Sequence, residues 1–533
     1  MGCLPFKRII LGTLLVVAGF GHGYSQVSDS LAKKIDRVFS ELDKTNSPGC
    51  ALAVVKNGKV LYTRGYGMSN LEYSIAITPA SIFHVASISK QFTAAAIQRL
   101  ALEGKLSLDD DVRKYVPEVP EVGYRITLAN LIHHTSGLRD QWDLQALAGW
   151  RDGDLITEDD VLEMMQRQQG LNFRPGDEYV YCNTGYTLLG VVVKRVTGVS
   201  LRRYADSVFF QPLGMTSTHF HSDHSEIVPN RTSAYTRDGG KWTINIPVFD
   251  NYGATSLFTT VGDLAKWDEN FYTAAVGGKA FIDAMLKPGV FNNGAVQNYA
   301  SGLALGEYKG RRTVEHAGSD AGYRANFLRF PEEHFSVIIL ANLGEINPSS
   351  LCRRVADLFL PASGGGEAKP TAVVDTTTTG KWAGDYFDFV AKARMKVEIN
   401  TLRSLSDSVF SLNGTEYRFH SSGDKITMVL HTNGLQDRGY EKVKKTTVSL
   451  KGLEEYVGTY YSKELDVKYV LFMKDYSLQM KAPRYDAAEL MPFIKDVFTG
   501  PFVMEVQRDK KGKVSGFLVS TGRSRNIRFE KTN

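Results

Sequence analysis

The chain is poor in cysteine, and the 4 cysteines among its 533 residues are badly arranged for a scaffold. Cys3 precedes an apolar leader and is poorly placed for lipid attachment. Cys50, Cys182 and Cys352 are odd in number and far apart, which excludes a disulfide framework and leaves room for one pair of unspecified partners. No Cys-x-x-Cys is present to hold zinc or run dithiol chemistry. A Walker-type phosphate loop is missing, and so is the Gly-x-Ser-x-Gly elbow of α/β-hydrolases. Basic residues form no dense run with interleaved aromatics, so nucleic acid is not an expected partner. Outside the N-terminus no apolar run reaches the length of a membrane span.

What is present begins with an export signal. Lys7-Arg8 form a charged start, Ile9 to Phe20 an apolar stretch, and Gly23-Tyr24-Ser25 a small-residue cleavage neighbourhood. Residues 1–25 therefore read as a signal peptide, and the mature protein as exported, periplasmic or secreted, with no stable membrane span. Removing Lys7 and Arg8 takes the formal charge from +5 to +3. The remaining length exceeds one compact core and predicts two or more domains.

Residues 27–360 read as one domain. Leu31, Ile35, Val38, Phe39 and Leu42 recur at helical spacing. Ala51 to Val55 and Val60 to Tyr62 flank Asn57-Gly58, the signature of a tight hairpin. Helical and loop patterns fill the middle. Thr313 to Glu315, Asn326 to Phe330 and Phe335 to Leu340 then read as strands, with His316-Ala317-Gly318 ending the first, and a helix is expected over 348–359. Strands at both ends with helices between predict an α+β fold, an antiparallel sheet flanked by helices with an all-helical lobe. A Pro/Gly/Thr-rich linker follows over 361–380. Residues 381–533 alternate as a β-rich domain, a barrel or meander. Trp382-Ala383-Gly384-Asp385-Tyr386 is echoed by Tyr456-Val457-Gly458-Thr459-Tyr460, so 381–450 and 453–531 read as two repeated units.

Three short patterns carry chemistry. Ser87-Ile88-Ser89-Lys90 stands at or near a predicted helix start, which puts Lys90 on the face of Ser87. A serine needs a base within hydrogen-bond reach, and a lysine becomes one when its pKa is depressed. The same spacing recurs at Ser30/Lys33 and Ser422/Lys425, to which no role is assigned. Tyr181-Cys182-Asn183 is the sole Tyr-x-Asn. A tyrosine beside a lysine ammonium has its phenolate favoured and can shuttle protons, and an asparagine can orient the lysine and contact a substrate carbonyl. His316-Ala317-Gly318 is the sole His-x-Gly, where glycine allows close backbone approach. Taken singly, each is as easily a core tyrosine, a capping asparagine or a strand-end histidine.

Together, in this order, they resemble the serine β-lactamase and penicillin-binding superfamily, in its class C-like branch of D-alanyl-D-alanine carboxypeptidases, D-amino-acid peptidases and esterases. The resemblance spans about residues 30–360 and includes His134-Thr135-Ser136-Gly137-Leu138, Pro175-Gly176, Pro212-Leu213-Gly214-Met215 and Asp263-Leu264-Ala265-Lys266-Trp267. The tail resembles lipocalin-like β-domains appended to some of these hydrolases. The resemblance implies Ser87 as the acylated nucleophile, Lys90 as its base or proton partner and Tyr181 in the relay. It also implies substrate contacts from Asn183, His316 and Gly318, and an oxyanion hole from the backbone N–H groups of Ser87 and Ser319. No cofactor is implied, and the implied partner is a small molecule or short peptide, including cell-wall peptide.

One departure shapes the expected substrate. No Lys-Ser/Thr-Gly exists; His316 stands where many relatives carry lysine, and Ala317 lacks a hydroxyl. A fixed cation would hold the carboxylate of a β-lactam, and neutral histidine holds it less well. The expectation is a peptidase or esterase with weak β-lactamase activity at most. A sensor that acylates and turns over slowly is the alternative outside enzymes. A zinc hydrolase built on His219-Phe220-His221-Ser222-Asp223-His224 is another, but no later histidine has a recognisable ligand setting, so no metal is assigned.

Overall fold

The computed structural model describes residues 27–360, 380–412, 415–432 and 436–532. The signal segment and nearly all of the linker lie outside the described residues. Among the described residues no helix is long and apolar enough to cross a membrane.

The first unit is built on a six-stranded antiparallel sheet. Its strands run in the order Ala304–Tyr308, Arg311–Asp320, Tyr323–Phe330, Phe335–Ala341, Cys50–Lys56 and Lys59–Tyr66. The first and last strands in the sequence meet through Cys50↔Ala341 to Lys56↔Phe335. Asn57 and Gly58 take positive φ of 49° and 71°, the backbone that a two-residue hairpin turn demands and that Asn-Gly supplies at little cost.

Period-two alternation assigns the faces of the sheet. Cys50, Leu52 and Val54 pack with Ile35, Phe39, Cys352 and Val355 from the helices Asp29–Val38 and Pro348–Phe359. Ala51, Ala53 and Val55 face the helical lobe instead. At the centre of that lobe lies the helix Ser89–Leu102, whose residues from Ser89 to Ile97 are all buried. Such a helix needs no polar face. Its Ala94-Ala95-Ala96 run lets the helix Asn183–Thr197 approach closely, while Phe92 fills the gap to Trp267 at 4.7 Å between ring centres. Among the described residues Cys50, Cys182 and Cys352 are buried and unpaired.

The strand bearing His316 is longer than its apolar pattern predicts. His316-Ala317-Gly318 does not end it; pairing with the next strand continues to Asp320↔Tyr323, where Ala321 turns the chain at φ 46°. Alternation in apolar content stops at Val314 because the continuation faces a pocket rather than a core.

The tail forms two β units. In the first, seven strands between Gly384 and Lys442 form one sheet, with Gly384–Asp388 paired to both Ala393–Val397 and Arg438–Lys442. In the second, eight strands from Gly458–Ser462 to Ile527–Lys531 close into an up-and-down barrel. The echoed motifs adopt one local structure in both. A 3₁₀ turn ends on the aromatic residue Trp382 or Tyr456, and Gly384 or Gly458 follows at φ 141° or 150°. The tyrosine hydroxyl then donates back to the aromatic residue's carbonyl, Tyr386 to Trp382 at 2.8 Å and Tyr460 to Tyr456 at 2.7 Å.

The barrel docks on the helical lobe. Leu144, Leu147 and Met164 join its core, and the Tyr469 hydroxyl donates to the Leu147 carbonyl at 2.7 Å. Arg139 forms an ion pair with Glu464 of the barrel, both side chains being only 4 % exposed.

Candidate active site

Ser87 does not cap the long helix. It occupies a 3₁₀ turn, Ala86–Ile88, that leads into it, and Ala86 is held at φ 48°, a strained value for a residue with a side chain. Local bonds hold the turn. Ser89 Oγ donates to the Ala86 carbonyl at 2.5 Å and accepts from the Leu257 N–H at 2.9 Å. The other Ser-x-x-Lys pairs, Ser30/Lys33 and Ser422/Lys425, lie exposed and far from any such turn.

Lys90 is fully buried one turn after Ser87. Its Nζ lies 3.2 Å from Ser87 Oγ, 2.8 Å from Asn183 Oδ1 and 2.7 Å from the Ala254 carbonyl. Burial depresses its pKa to about 7, against an opposing pull from Asp320 and Asp140. A neutral amine has two N–H bonds and one lone pair. Asn183 Oδ1 and the Ala254 carbonyl accept both hydrogens, so the lone pair is left for Ser87. Asn183 is oriented in turn by Asp140, whose Oδ2 accepts from its backbone N at 2.6 Å and its Nδ2 at 2.9 Å.

Tyr181 lies over the same amine, Nζ being 4.8 Å from its ring centre, and lines the cavity together with Ser87. The expected phenolate is not favoured. Burial raises the Tyr181 pKa well above its ordinary value and outweighs the opposing pull of Ser87 and Arg523, so the residue stays a phenol.

The His316 strand forms the opposite wall. Its outer neighbour pairs with it only as far as Ala304↔Glu315, so His316 to Asp320 present an edge free of that strand to the pocket. Gly318 has a second use that sequence did not show. A Cβ there would lie 2.2 Å from the Val85 carbonyl oxygen, so only glycine lets this strand press against the Ser87 turn. Ser319, next along the edge, also lines the cavity of about 540 Å³ that holds Ser87, Tyr181, Asn183 and His316.

His316 is locked in one tautomer by a chain of hydrogen bonds. The Cys182 N–H donates to His134 Nδ1 at 3.1 Å, so the His134 proton is on Nε2, which donates to the Tyr299 hydroxyl at 3.3 Å. Tyr299 donates to His316 Nε2 at 3.0 Å, and His316 Nδ1–H donates to the Ala317 carbonyl at 2.6 Å. Burial and Lys90 push the His316 pKa down to about 4, and burial holds His134 well below its usual value. Both rings are neutral at pH 7.

Several of these residues escaped the sequence reading. Tyr299 has no motif. His134 entered only as part of a stretch carrying the resemblance, and Asp140 belongs to none of the motifs. The largest omission is the barrel loop Thr521–Asn526, since the tail carries no catalytic pattern of its own. Asp143 Oδ2 accepts from the Arg523 N–H at 2.9 Å, and Asn172 Nδ2 donates to the Arg523 carbonyl at 2.8 Å. Arg525 pairs with Glu178 at 3.0 Å, and the Asp140 N–H donates to Ser524 Oγ at 3.2 Å. Arg523 thereby reaches the pocket, its guanidinium 5.1 Å from the Tyr181 ring centre.

A family model described as Beta-lactamase matches residues 35–358, more than half of the chain. The chain belongs to the beta-lactamase family. Within this family of serine hydrolases it is similar to "Protein flp" of Staphylococcus aureus strain N315, 27% identical over 338 residues, covering 60% of this chain and 64% of that protein. It is also similar to a D-aminopeptidase of Gluconobacter oxydans, 27% identical over 320 residues, covering 59% and 60% of the two chains. Penicillin-binding protein 4* of Bacillus subtilis is 27% identical over 330 residues, covering 59% and 72%. The chain thus spans less than two thirds of the length of the first two. Among solved structures, the octameric penicillin-binding protein homologue from Pyrococcus abyssi matches with a TM-score of 0.55 at 23% identity, covering 86% of this chain and 99% of that one. That likeness concerns the fold.

In this beta-lactamase-family chain the His219–His224 stretch forms clusters apart from Ser87. His219, His221 and Glu226 bring ligand atoms within 4.8 Å of one another, as do Asp223, His224 and Asp250. The first set could hold a cation only against resistance. Glu226 is already bound by Arg202 at 2.5 and 2.7 Å, and Arg231 adds to the positive field on His221, whose pKa burial lowers to about 4.

Proposed function

We propose that this protein is an exported serine hydrolase that cleaves amide or ester bonds through an acyl-enzyme on Ser87. Its expected substrates are short peptides with D-amino acids, or esters of similar size. The observation that carries the reading is the bonding of Lys90. With both amine hydrogens accepted by Asn183 and Ala254, its lone pair can face only Ser87 Oγ at 3.2 Å. The Ser87 proton passes to Lys90 Nζ as Oγ attacks the carbonyl carbon. The oxyanion is received by the backbone N–H groups of Ser87 and Ser319. The proton on Lys90 returns through the Tyr181 phenol to the leaving nitrogen or oxygen, which departs as an amine or alcohol. Water then repeats the sequence on the ester and releases the acid.

The relatives named D-aminopeptidase and penicillin-binding protein support a peptide substrate. The neutral His316 and Ala317 support weak β-lactam turnover. Nitrocefin hydrolysis with kcat/KM above about 10⁴ M⁻¹s⁻¹ would overturn that part.

Intact-protein mass spectrometry after treatment with a fluorophosphonate, and separately with a penicillin, tests the reading. One fluorophosphonate adduct is expected on wild type and none on Ser87→Ala, with labelling unaffected by EDTA. An adduct that survives in Ser87→Ala, or loss of labelling in EDTA, would refute it and return attention to the histidine cluster. A burst followed by steady hydrolysis separates an enzyme from a slow-turnover sensor.

A further inference from the structure

The pocket needs a cation that the His316 strand does not supply. His316 is neutral, fixed by Tyr299 on one side and the Ala317 carbonyl on the other. Lys90 spends its hydrogens below the pocket floor. Arg353, which also lines the cavity, is tied to Glu315. Asp320 is bound to His84 at 3.0 Å and to Thr255. Arg523 is different. Among the described residues its guanidinium has no carboxylate partner, and it rests only on the Tyr181 face.

Its surroundings look built to present it. The backbone on both sides is pinned by Asp143 and Asn172, and the next side chains, Ser524 and Arg525, are buried against the catalytic unit. The loop therefore has little freedom, while the one long side chain directed at the pocket is exposed. Arg523 also lines the adjoining cleft of about 630 Å³, which runs from Tyr179 and Tyr181 towards Thr415, Tyr417 and Arg438 of the seven-stranded sheet. It stands at the junction of the two spaces.

We infer that Arg523, donated by the C-terminal barrel, is the carboxylate-binding residue of this active site and selects short peptides with a free C-terminal carboxylate. A guanidinium matches a carboxylate with two parallel hydrogen bonds, which a point cation cannot do. The position over Tyr181 puts that carboxylate in the same cavity as Ser87. The charge of Arg523 also lowers the pKa of Lys90, so an incoming carboxylate would cancel part of that effect. The inference rests on Ser87 being the nucleophile.

Protection of Ser87 from fluorophosphonate labelling tests it without requiring turnover. N-acetyl-D-alanyl-D-alanine and its C-terminal amide serve as the protecting pair. On wild type the acid should half-protect at a concentration about 10- to 100-fold below that of the amide, the factor expected for one charge-assisted pairing. Arg523→Ala should bring the two curves together, and Arg523→Lys should restore only part of the gap. Equal protection by acid and amide on wild type, no protection by either, or a gap that survives in Arg523→Ala would overturn the inference. Should Arg523→Ala fold poorly, Arg523→Gln and the wild-type comparison decide alone. Failure of the nucleophile reading would look different: no adduct at all before any peptide is added, or an adduct retained by Ser87→Ala.

Discussion

The bonding of Lys90 predicts how the enzyme depends on pH. The unprotonated amine is the reactive form, and burial sets its pKa at about 7. A depressed lysine pKa means charge below that value and a free lone pair above it. The rate of Ser87 labelling, and kcat/KM for p-nitrophenyl acetate, should therefore be flat above about pH 8 and fall about tenfold per unit below about pH 6. Neither His316 nor Tyr181 can produce this limb. His316 is held at about 4, and Tyr181 is held well above its ordinary value. The perturbation that tests the assignment is Asn183→Asp. It keeps an acceptor at the 2.8 Å position beside Lys90 but gives it charge, which favours the ammonium. The limb should move to higher pH by about one unit or more, a change of about 1.4 kcal/mol or more between the two protonation states. Lys90→Met should remove the limb and lower the plateau by about 10²- to 10⁴-fold, the range for losing a positioned base. A profile flat from pH 5 to 8, or a limb that stays in place in Asn183→Asp, would refute the argument that Lys90 takes the Ser87 proton.

Three further outcomes follow from contacts around that pair. Gly318→Ala must open a 2.2 Å contact with the Val85 carbonyl towards the ordinary 3.4 Å, and a displacement of about 1 Å should lower the labelling rate about 10²-fold, with the melting curve as control. Tyr299→Phe leaves the Nε2 atoms of His134 and His316 without partners; urea unfolding should show a loss of about 1–3 kcal/mol. Glu464→Ala leaves the Arg139 guanidinium charged and buried, at a cost of about 3–5 kcal/mol; urea unfolding measures the cost, and the labelling rate should fall with it because Asp140, next to Arg139, orients Asn183.

The sheet and its neighbours were legible because each depends on local rules. Asn57-Gly58 specifies its own turn, the apolar runs at Ala51–Val55 and Phe335–Leu340 read as strands, and Leu31, Ile35 and Phe39 mark a one-faced helix. Ser87, Lys90, Tyr181 and Asn183 could be picked out because their spacing is short enough to form motifs. What sequence withheld was either non-local or a matter of competition. Tyr299 lies 165 residues from His134, which it joins to His316. The phenol form of Tyr181 is decided by burial against a nearby cation, and a sequence displays the cation but not the burial. The extension of the His316 strand to Asp320 has no apolar signature, since its side chains line a pocket. The Tyr456-x-Gly-x-Tyr echo was visible, yet nothing in Thr521-Gly522-Arg523 announces a loop that crosses to another unit.

The two surprises bear on each other. The catalytic unit fixes its own histidine as a neutral ring, through four consecutive hydrogen bonds from Cys182 to Ala317. A protonated His316 would have to break the bond from Tyr299, because its Nε2 would become a donor facing a hydroxyl that already donates to it. It would also face the Lys90 amine, whose own protonation the same positive charge would oppose. A neutral ring therefore lets Lys90 take the Ser87 proton without meeting a second cation, and it removes from this strand the charge that a carboxylate substrate requires. The barrel loop supplies that charge from the solvent edge, where a bound carboxylate cancels part of its effect on Lys90 at the floor. The arrangement explains why the docking contacts converge beside the chemistry: Arg139 and Asp140 are adjacent residues, one gripping the barrel and the other holding Asn183. Substrate charge recognition and base positioning are thereby both tied to the same interface.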